Sequence, residues 1–340
     1  MISMKNKYYR ILSDEYPSFI DEYCVSPCLQ RLSGISLFCG VDYCGLFKVK
    51  EFYSRLDHSI GVALIIWHFT KDKKAAIAGL LHDVSTPVFS HVIDFMYKDY
   101  LKQEKTEEKN STMIASDAYL CDLLKRDGID VKDVMDYKAY PIADNEVPQL
   151  SADRLEYMYS TGLFLTQDYD LETIEKTYKD LYVSKNEETI DELAFKDISV
   201  AELFTKQCCN VGRFFQTNED KMSLEYLSHI VKCAISENIF NESDVYSYRE
   251  AEIWEKMYTN GSLLLKEKMD HFSKLHKIMC SNKYVDSECT IHMNVKKRYI
   301  DPLVNNIRVS LCSKKANKYI QDFIQYKESE YAYIDETCYR

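Results

Sequence analysis

Glycine and proline are scarce in this 340-residue chain, at 9 and 6 residues. So little punctuation excludes a many-turned β fold and favours long uninterrupted helices. A surplus of positive charge is also missing: the net charge is −11. Binding duplex nucleic acid would need a strong local basic patch against that total. Lys296-Lys297-Arg298 and Lys314-Lys315 are the only hints of one, and both read as solvated surface. No apolar stretch approaches the length that spans a bilayer, and nothing reads as a secretion signal. The expectation is therefore a cytoplasmic protein with neither a membrane nor a nucleic acid as partner. Twelve cysteines are present, yet they do not form the framework of a small secreted domain. Cys24 and Cys28 have zinc-like spacing, but no second pair or histidine cluster stands beside them, so reduced, buried thiols are expected.

What is there reads mainly as helix. From His58 to Phe69 the chain is apolar nearly all round, and so is Ala75 to Leu81. A helix with no polar face is buried, so these two are predicted to be central. Pro87 makes the preceding residue a poor helix former and sets a break after Asp83. Residues 46–52 read as a loop or small hairpin. Further helices are predicted over 88–102 and 111–126, and one capped by Ser151 carries Asp153. After Gly162 come amphipathic helices over about 170–183, 199–215, 222–238, 247–258 and 262–280. The period then becomes strand-like over 288–299 and 306–312, before a last helix over 316–326. The expected fold is mostly α: a helical bundle, a helical C-terminal extension, and a small β element near residues 288–312.

Four side chains stand out: His58, His82, Asp83 and Asp153. Alone, His58 would read as a core histidine and Asp153 as a helix cap. On its helix, however, His58 shares a face with Val62 and Ile65, so it points inward. His82 and Asp83 close an apolar helix, where burial is costly unless they are paired or bound to metal. Two imidazole nitrogens and two carboxylate oxygens suit one divalent ion (manganese, iron, magnesium or nickel) better than structural zinc. Two coordination positions would remain for a water and a phosphate oxygen, which predicts metal-assisted hydrolysis of a phosphate ester.

These residues lie in longer motifs. Leu29-Gln30-Arg31-Leu32, Arg55-Leu56-Asp57-His58-Ser59-Ile60-Gly61-Val62, Leu80 to His91 ending in Phe89-Ser90-His91, and Asp153-Arg154-Leu155-Glu156-Tyr157 follow one another in order. The set resembles the HD-domain metal-dependent phosphohydrolase superfamily, and within it the SAMHD-type deoxynucleoside triphosphate triphosphohydrolase branch. The resemblance covers residues 28–165, and implies a catalytic core over 1–165 with a helical lobe over 166–340 packed on it. It implies that His58, His82, Asp83 and Asp153 bind the metal, and that Asp83, His91 and Glu107 serve catalysis. Arg55 and Arg154 correspond to phosphate-binding cations, His91 to a histidine beside the phosphates, and Tyr157 to a tyrosine lining the sugar pocket. The implied partner is a small phosphorylated substrate such as a nucleotide, and homo-oligomers are frequent in that branch.

Three positions depart from the branch. Thr86 stands where a histidine follows the His-Asp pair, Glu107 where a second histidine is usual, and Leu37 where a glutamine reads the sugar. Threonine is no proton donor at neutral pH, whereas a glutamate with a raised pKa is. The losses leave the metal residues whole but turn expectation towards a monophosphate or smaller ester. They also motivate one alternative, a catalytically degenerate nucleotide sensor. A further alternative, an interaction protein using residues 166–340, rests on the lack of a chemical motif there.

Overall fold

The computed structural model describes residues 3–97 and 109–340. Its centre is the helix Arg55–Thr70. Ser54 and Asp57 start it with a reciprocal cap: Ser54 Oγ accepts from the Asp57 amide at 3.1 Å, and the Asp57 carboxylate accepts from the Ser54 amide at 2.8 Å. Lys71, in the left-handed conformation, ends it. The helix Lys73–Leu81, capped by Asp72, packs beside it. Gly79 permits this approach, because a Cβ there would sit 2.3 Å from Ile66 Cδ1. The helix Ala152–Phe164, capped by Ser151, crosses the same central helix.

Two hydrophobic cores result. The larger joins Tyr8 through Val211 with Ile300, Val304, Val309 and Ala316. The second gathers Val88, Phe89, Val92, Ile93 and Phe95 onto the helices Asn218–Ser236, Glu250–Asn260 and Leu263–Lys274. The chain thus leaves the first core after Val84. Arg31 holds that exit: buried, it donates from Nη2 to the carbonyls of Val84 at 2.9 Å and Thr86 at 2.7 Å. Arg31→Met is expected to cost about 1.5–3 kcal/mol, the worth of hydrogen bonds to a charged group. The check is a lower denaturant midpoint at unchanged slope.

The mostly helical class holds, with small strands among the helices. Several boundaries differ from the sequence expectation, each for a tertiary reason. The helix predicted from 88 begins only at Val92, because Phe89 and Ser90 take positive φ of 61° and 49°. The second core imposes that turn: the Val88 amide donates to Val245 O at 2.8 Å and the Phe89 amide to Glu250 Oε1 at 3.2 Å. Residues 98–102 of that expected helix lie outside the described residues. The helix expected over 111–126 is two, Asn110–Ser116 and Ala118–Arg126. Asp117 divides them by capping Leu120 while also accepting from the distant Cys28 amide. Residues 46–52 are a loop, one of the two forms the sequence allowed.

The strands were the least legible part. Leu181–Lys185 pairs antiparallel with Asp191–Phe195, where the expectation carried a helix on to residue 183. Asp191–Phe195 then pairs in parallel with Leu303–Val304, and that strand antiparallel with Ile307–Arg308. Residues 309–312, expected as strand, are helical. A second sheet orders Met279–Ser281, Tyr331–Ile334 and Cys289–Ile291, all antiparallel. The helix expected to reach 280 stops at Lys274, because residues 279–281 have a partner fifty or more residues away. Among the described residues no helix is long and apolar enough to cross a membrane. All twelve cysteines are free, and burial pushes the Cys24 and Cys28 thiols up to about 12.

Candidate metal centre

His58 lies in the first turns of the central helix, His82 caps the end of the next, and Asp153 opens the crossing helix. Their ligand atoms meet. His58 Nε2 is 3.2 Å from His82 Nε2 and 3.2 Å from Asp153 Oδ1. His82 Nε2 is 3.7 Å from Asp83 Oδ2 and 3.8 Å from Asp153 Oδ1. His58, His82 and Asp83 each offer a donor atom within 4.8 Å of the others, close enough to hold one metal ion.

Hydrogen bonding sets which nitrogens are available. His82 Nδ1 lies 2.7 Å from Gly79 O, which can only accept, so Nδ1 carries the hydrogen and Nε2 of the neutral ring is bare. His58 Nδ1 bonds the Glu156 carboxylate, which fixes the same tautomer. Glu156 is fully buried and also accepts from Tyr53 OH at 2.6 Å, Tyr8 OH at 3.2 Å and Ser160 Oγ at 3.2 Å. Gly61 makes room for it: a Cβ there would lie 2.7 Å from Glu156 Cγ. Nε2 of His82 and, once its proton leaves, Nε2 of His58 thus turn towards the Asp83 carboxylate with Asp153 beside them, a set that fits a divalent cation.

The charges agree with that fit. Burial disfavours a proton on His58, but the Glu156 and Asp153 carboxylates outweigh it and raise the pKa to about 10. In the metal-free protein that proton takes the place of the cation. Burial also opposes ionisation of Asp83, yet Arg55 and the two histidines hold its carboxyl far below the usual range. A metal must displace the His58 proton, so apparent metal affinity is expected to rise roughly tenfold per pH unit through the neutral range. Metal titrations from pH 6 to 8 check this; a flat profile would contradict it.

The other expected site residues fall around this cluster. Arg55 Nη1 pairs with Asp83 Oδ2 at 2.9 Å, and its Nε donates to Ser90 Oγ at 3.2 Å. Thr86 Oγ1 donates to Asp83 Oδ1 at 3.1 Å, so this departure supports a cluster carboxylate. His91 Nδ1 pairs with the buried Asp94 at 2.8 Å, while burial lowers the His91 pKa and keeps the ring neutral at pH 7. Arg154 bonds Asp144 at 3.2 Å and Gln149 O at 3.1 Å. Tyr157 stacks on Phe215 with ring centroids 5.5 Å apart, and meets His58 edge-on. Leu37 is buried in the wall of an adjoining chamber. Glu107 lies outside the described residues.

Arg55, Arg154, His91 and Tyr157 line the same cavity of about 230 Å³ as the four cluster residues. Three further cations line it that the sequence reading did not assign: Lys138, Lys296 and Arg298. The 296–298 run expected as solvated surface therefore contributes two residues to the cleft. Glu156 was also missed as a partner of His58. It lies one helical turn after the inward-facing Asp153, so its placement had a signal in the spacing.

The helical bundle thus brings paired histidines and aspartates together in a cation-lined cavity. The family model of the HD domain matches residues 55–158. YdhJ of Bacillus subtilis (strain 168) is 27% identical over 232 residues, covering 66% of this chain and 67% of that protein. The metal-dependent phosphohydrolase cns2 of the fungus Cordyceps militaris is 30% identical over 129 residues, 38% of this chain and 36% of that one. Among solved structures, the phosphohydrolase BT4208 of Bacteroides thetaiotaomicron VPI-5482 superposes with a TM-score of 0.62 at 14% identity, covering 92% of this chain and 94% of that one. At that identity the likeness speaks to the fold. Residues 55–158 thus match the HD domain, and the match spans His58, His82, Asp83 and Asp153.

Proposed function

We propose that the protein hydrolyses a nucleotide or another small phosphate ester, with one divalent ion held by His58, His82, Asp83 and Asp153. The observation that carries this is the pair of Nε2 atoms 3.2 Å apart, facing two carboxylates inside a cation-lined cavity. A bound ion (manganese, iron, magnesium or nickel) supplies Lewis acidity and an activated water. Arg55 and Arg154 bind phosphate oxygens and stabilise the charge that develops on them. Lys138, Lys296 and Arg298 add to that field from the other walls. His91, neutral in the free site, gains a proton as the phosphate anion enters and passes it to the leaving oxygen. Glu107 is the proposed second proton donor, and Tyr157 packs against the organic part of the substrate.

Residues 1–165 act as the catalytic core in this reading, and 166–340 form the lobe that closes the cleft through Lys296 and Arg298. Within the superfamily we place the chain beside the SAMHD-type branch, on the strength of Phe89-Ser90-His91 and the Asp153–Tyr157 run. Thr86, Glu107 and Leu37 favour a monophosphate or small ester over a triphosphate.

The test is a substrate panel with metal-stripped protein reloaded with each ion in turn. Phosphate, pyrophosphate and tripolyphosphate are measured separately, since each reports a different cleaved bond. The expected result is phosphate release that a chelator abolishes. Nucleotide-dependent thermal stabilisation without turnover, at every metal and pH, would make the protein a sensor instead. In the same assay Arg298→Ala is expected to raise KM about tenfold or more, the worth of a charged hydrogen bond.

A further inference from the structure

His91 reaches the metal cavity from a turn that its neighbours do not favour by themselves. Phe89 and Ser90 both take the left-handed conformation, at φ of 61° and 49°, and neither is glycine. Such backbone persists only where its surroundings impose it. Ser90 is fully buried, and its Oγ accepts from Arg55 Nε at 3.2 Å. The next residue carries the imidazole that lines the cavity. The turn therefore presents two things to the proposed phosphate site: an acceptor that braces Arg55, and the His91 ring.

One helix grips this turn from behind. Glu250 opens the helix Glu250–Asn260 and is 1% exposed. The Phe89 amide donates to its Oε1 at 3.2 Å. One helical turn on, Trp254 meets the Phe89 ring edge-on, with centroids 6.3 Å apart. The same helix face thus holds Phe89 by its backbone and by its ring. The start of that helix is tied in turn to the first core. The Glu250 amide donates to Gly34 O at 3.0 Å, and Arg249 Nη2 to Gln30 O at 3.1 Å. Gly34 permits this approach, since a Cβ there would lie 2.6 Å from Arg249 Cδ. The next carbonyl, that of Ile35, accepts from the Arg55 amide at 2.8 Å. Glu250 therefore stands where the segment that anchors the Arg55 backbone meets the turn that braces its guanidinium.

The second carboxyl oxygen of Glu250, Oε2, is buried without a hydrogen bond among the described residues. An ionised group is costly in such a place. Burial and the neighbouring Asp42 carboxylate raise the Glu250 pKa, which favours the neutral acid. A neutral acid still accepts the Phe89 amide through its carbonyl oxygen. Resting on the hydrolase reading above, we propose that Glu250 is a positioning residue: the reach of its carboxyl oxygen to the Phe89 amide sets the turn that aims His91 and braces Arg55. It touches neither substrate nor metal.

The test uses the full chain and separates reach from charge. Glu250→Gln keeps an oxygen at the same reach and has no charge to lose or gain. Glu250→Asp keeps a carboxyl but is shorter by a methylene. Both are milder than truncation to alanine. With protein reloaded with the most active ion of the panel, Glu250→Gln is expected to stay within about threefold of the wild-type kcat. Glu250→Asp is expected to lose about tenfold to a hundredfold in kcat, the cost of misplacing a reacting group by about 1 Å, with KM moved less and metal content unchanged. Wild-type kcat in Glu250→Asp would overturn the proposal, as would an equal loss in both variants or a loss confined to Glu250→Gln. Metal lost in proportion to kcat would overturn it too, since that is general damage to the fold. A second readout needs no turnover: the imidazole signals of His91 and His58 in the metal-free protein, followed by NMR. Glu250→Asp is expected to shift the His91 signals and their titration and to leave those of His58 in place, while Glu250→Gln leaves both. If wild type hydrolyses no ester, the hydrolase reading fails and this readout still decides: unmoved His91 signals in Glu250→Asp overturn the role assigned to Glu250.

Discussion

Asp83→Ala protein is expected to release phosphate about a thousandfold more slowly than wild type, several kcal/mol of transition-state stabilisation, and to lose its tightly held metal. Asp83 stands between two tasks. Its Oδ2 lies 3.7 Å from His82 Nε2, and the same oxygen holds Arg55 at 2.9 Å. Removing the carboxylate therefore weakens the ion site and frees a proposed phosphate-binding cation from its anchor. It also leaves the buried Arg55 charge without its partner, which costs about 3–5 kcal/mol where a pair is fully buried. Asp83→Asn separates these effects. It keeps an acceptor for Arg55 and Thr86 while removing the charge, so its melting temperature should fall less than its activity. Metal content by elemental analysis and phosphate release by colorimetry measure the two. Wild-type rates in a well-folded Asp83→Ala protein would refute the proposed site.

Glu156→Gln should weaken metal affinity about 10- to 100-fold, the usual worth of a group that orients a metal ligand. The glutamine can still accept from Tyr8 and Tyr53, so much of the buried hydrogen bonding survives. What disappears is the negative charge facing His58 Nδ1. That charge is a main cause of the raised His58 pKa, so the pKa in the metal-free variant should fall. The sign matters for the readout. With a lower pKa, less proton competes at neutral pH, which partly offsets the loss of ligand basicity. The variant's affinity should therefore depend less steeply on pH than that of wild type. Imidazole titration by NMR, together with metal titrations at two pH values, checks both parts. An unchanged His58 pKa would show that Glu156 does not act through this ring.

Legibility in the sequence followed the range of the interactions. The two apolar helices announce themselves by period, and their ends carry His58, His82 and Asp83, so the convergence of these residues could be read from local pattern. Asp153 needed only the cap at Ser151 to fix its place. The inward face of that same helix also carried Glu156, one turn on, though its pairing with His58 depends on the crossing of two helices. Lys296 and Arg298 offered no such signal. They reach the cleft because residues 301–304 are tied to Pro148 and to the strand at 191–195, contacts more than a hundred residues apart in the chain. The turn at Phe89 and Ser90 was hidden for the same reason: its shape is set by Val245 and Glu250, while its own residues read as helix.

That turn has a further consequence. His91 is mounted on the second core, whereas His58, His82 and Asp153 are mounted on the first. Phe47, which packs against both cores, helps to fasten the two together. Injury to that joint would misplace His91, the proposed proton donor, while sparing the proposed metal residues. If the proposed function holds, occupancy by metal and the speed of hydrolysis are separable, each answering to a different half of the interior.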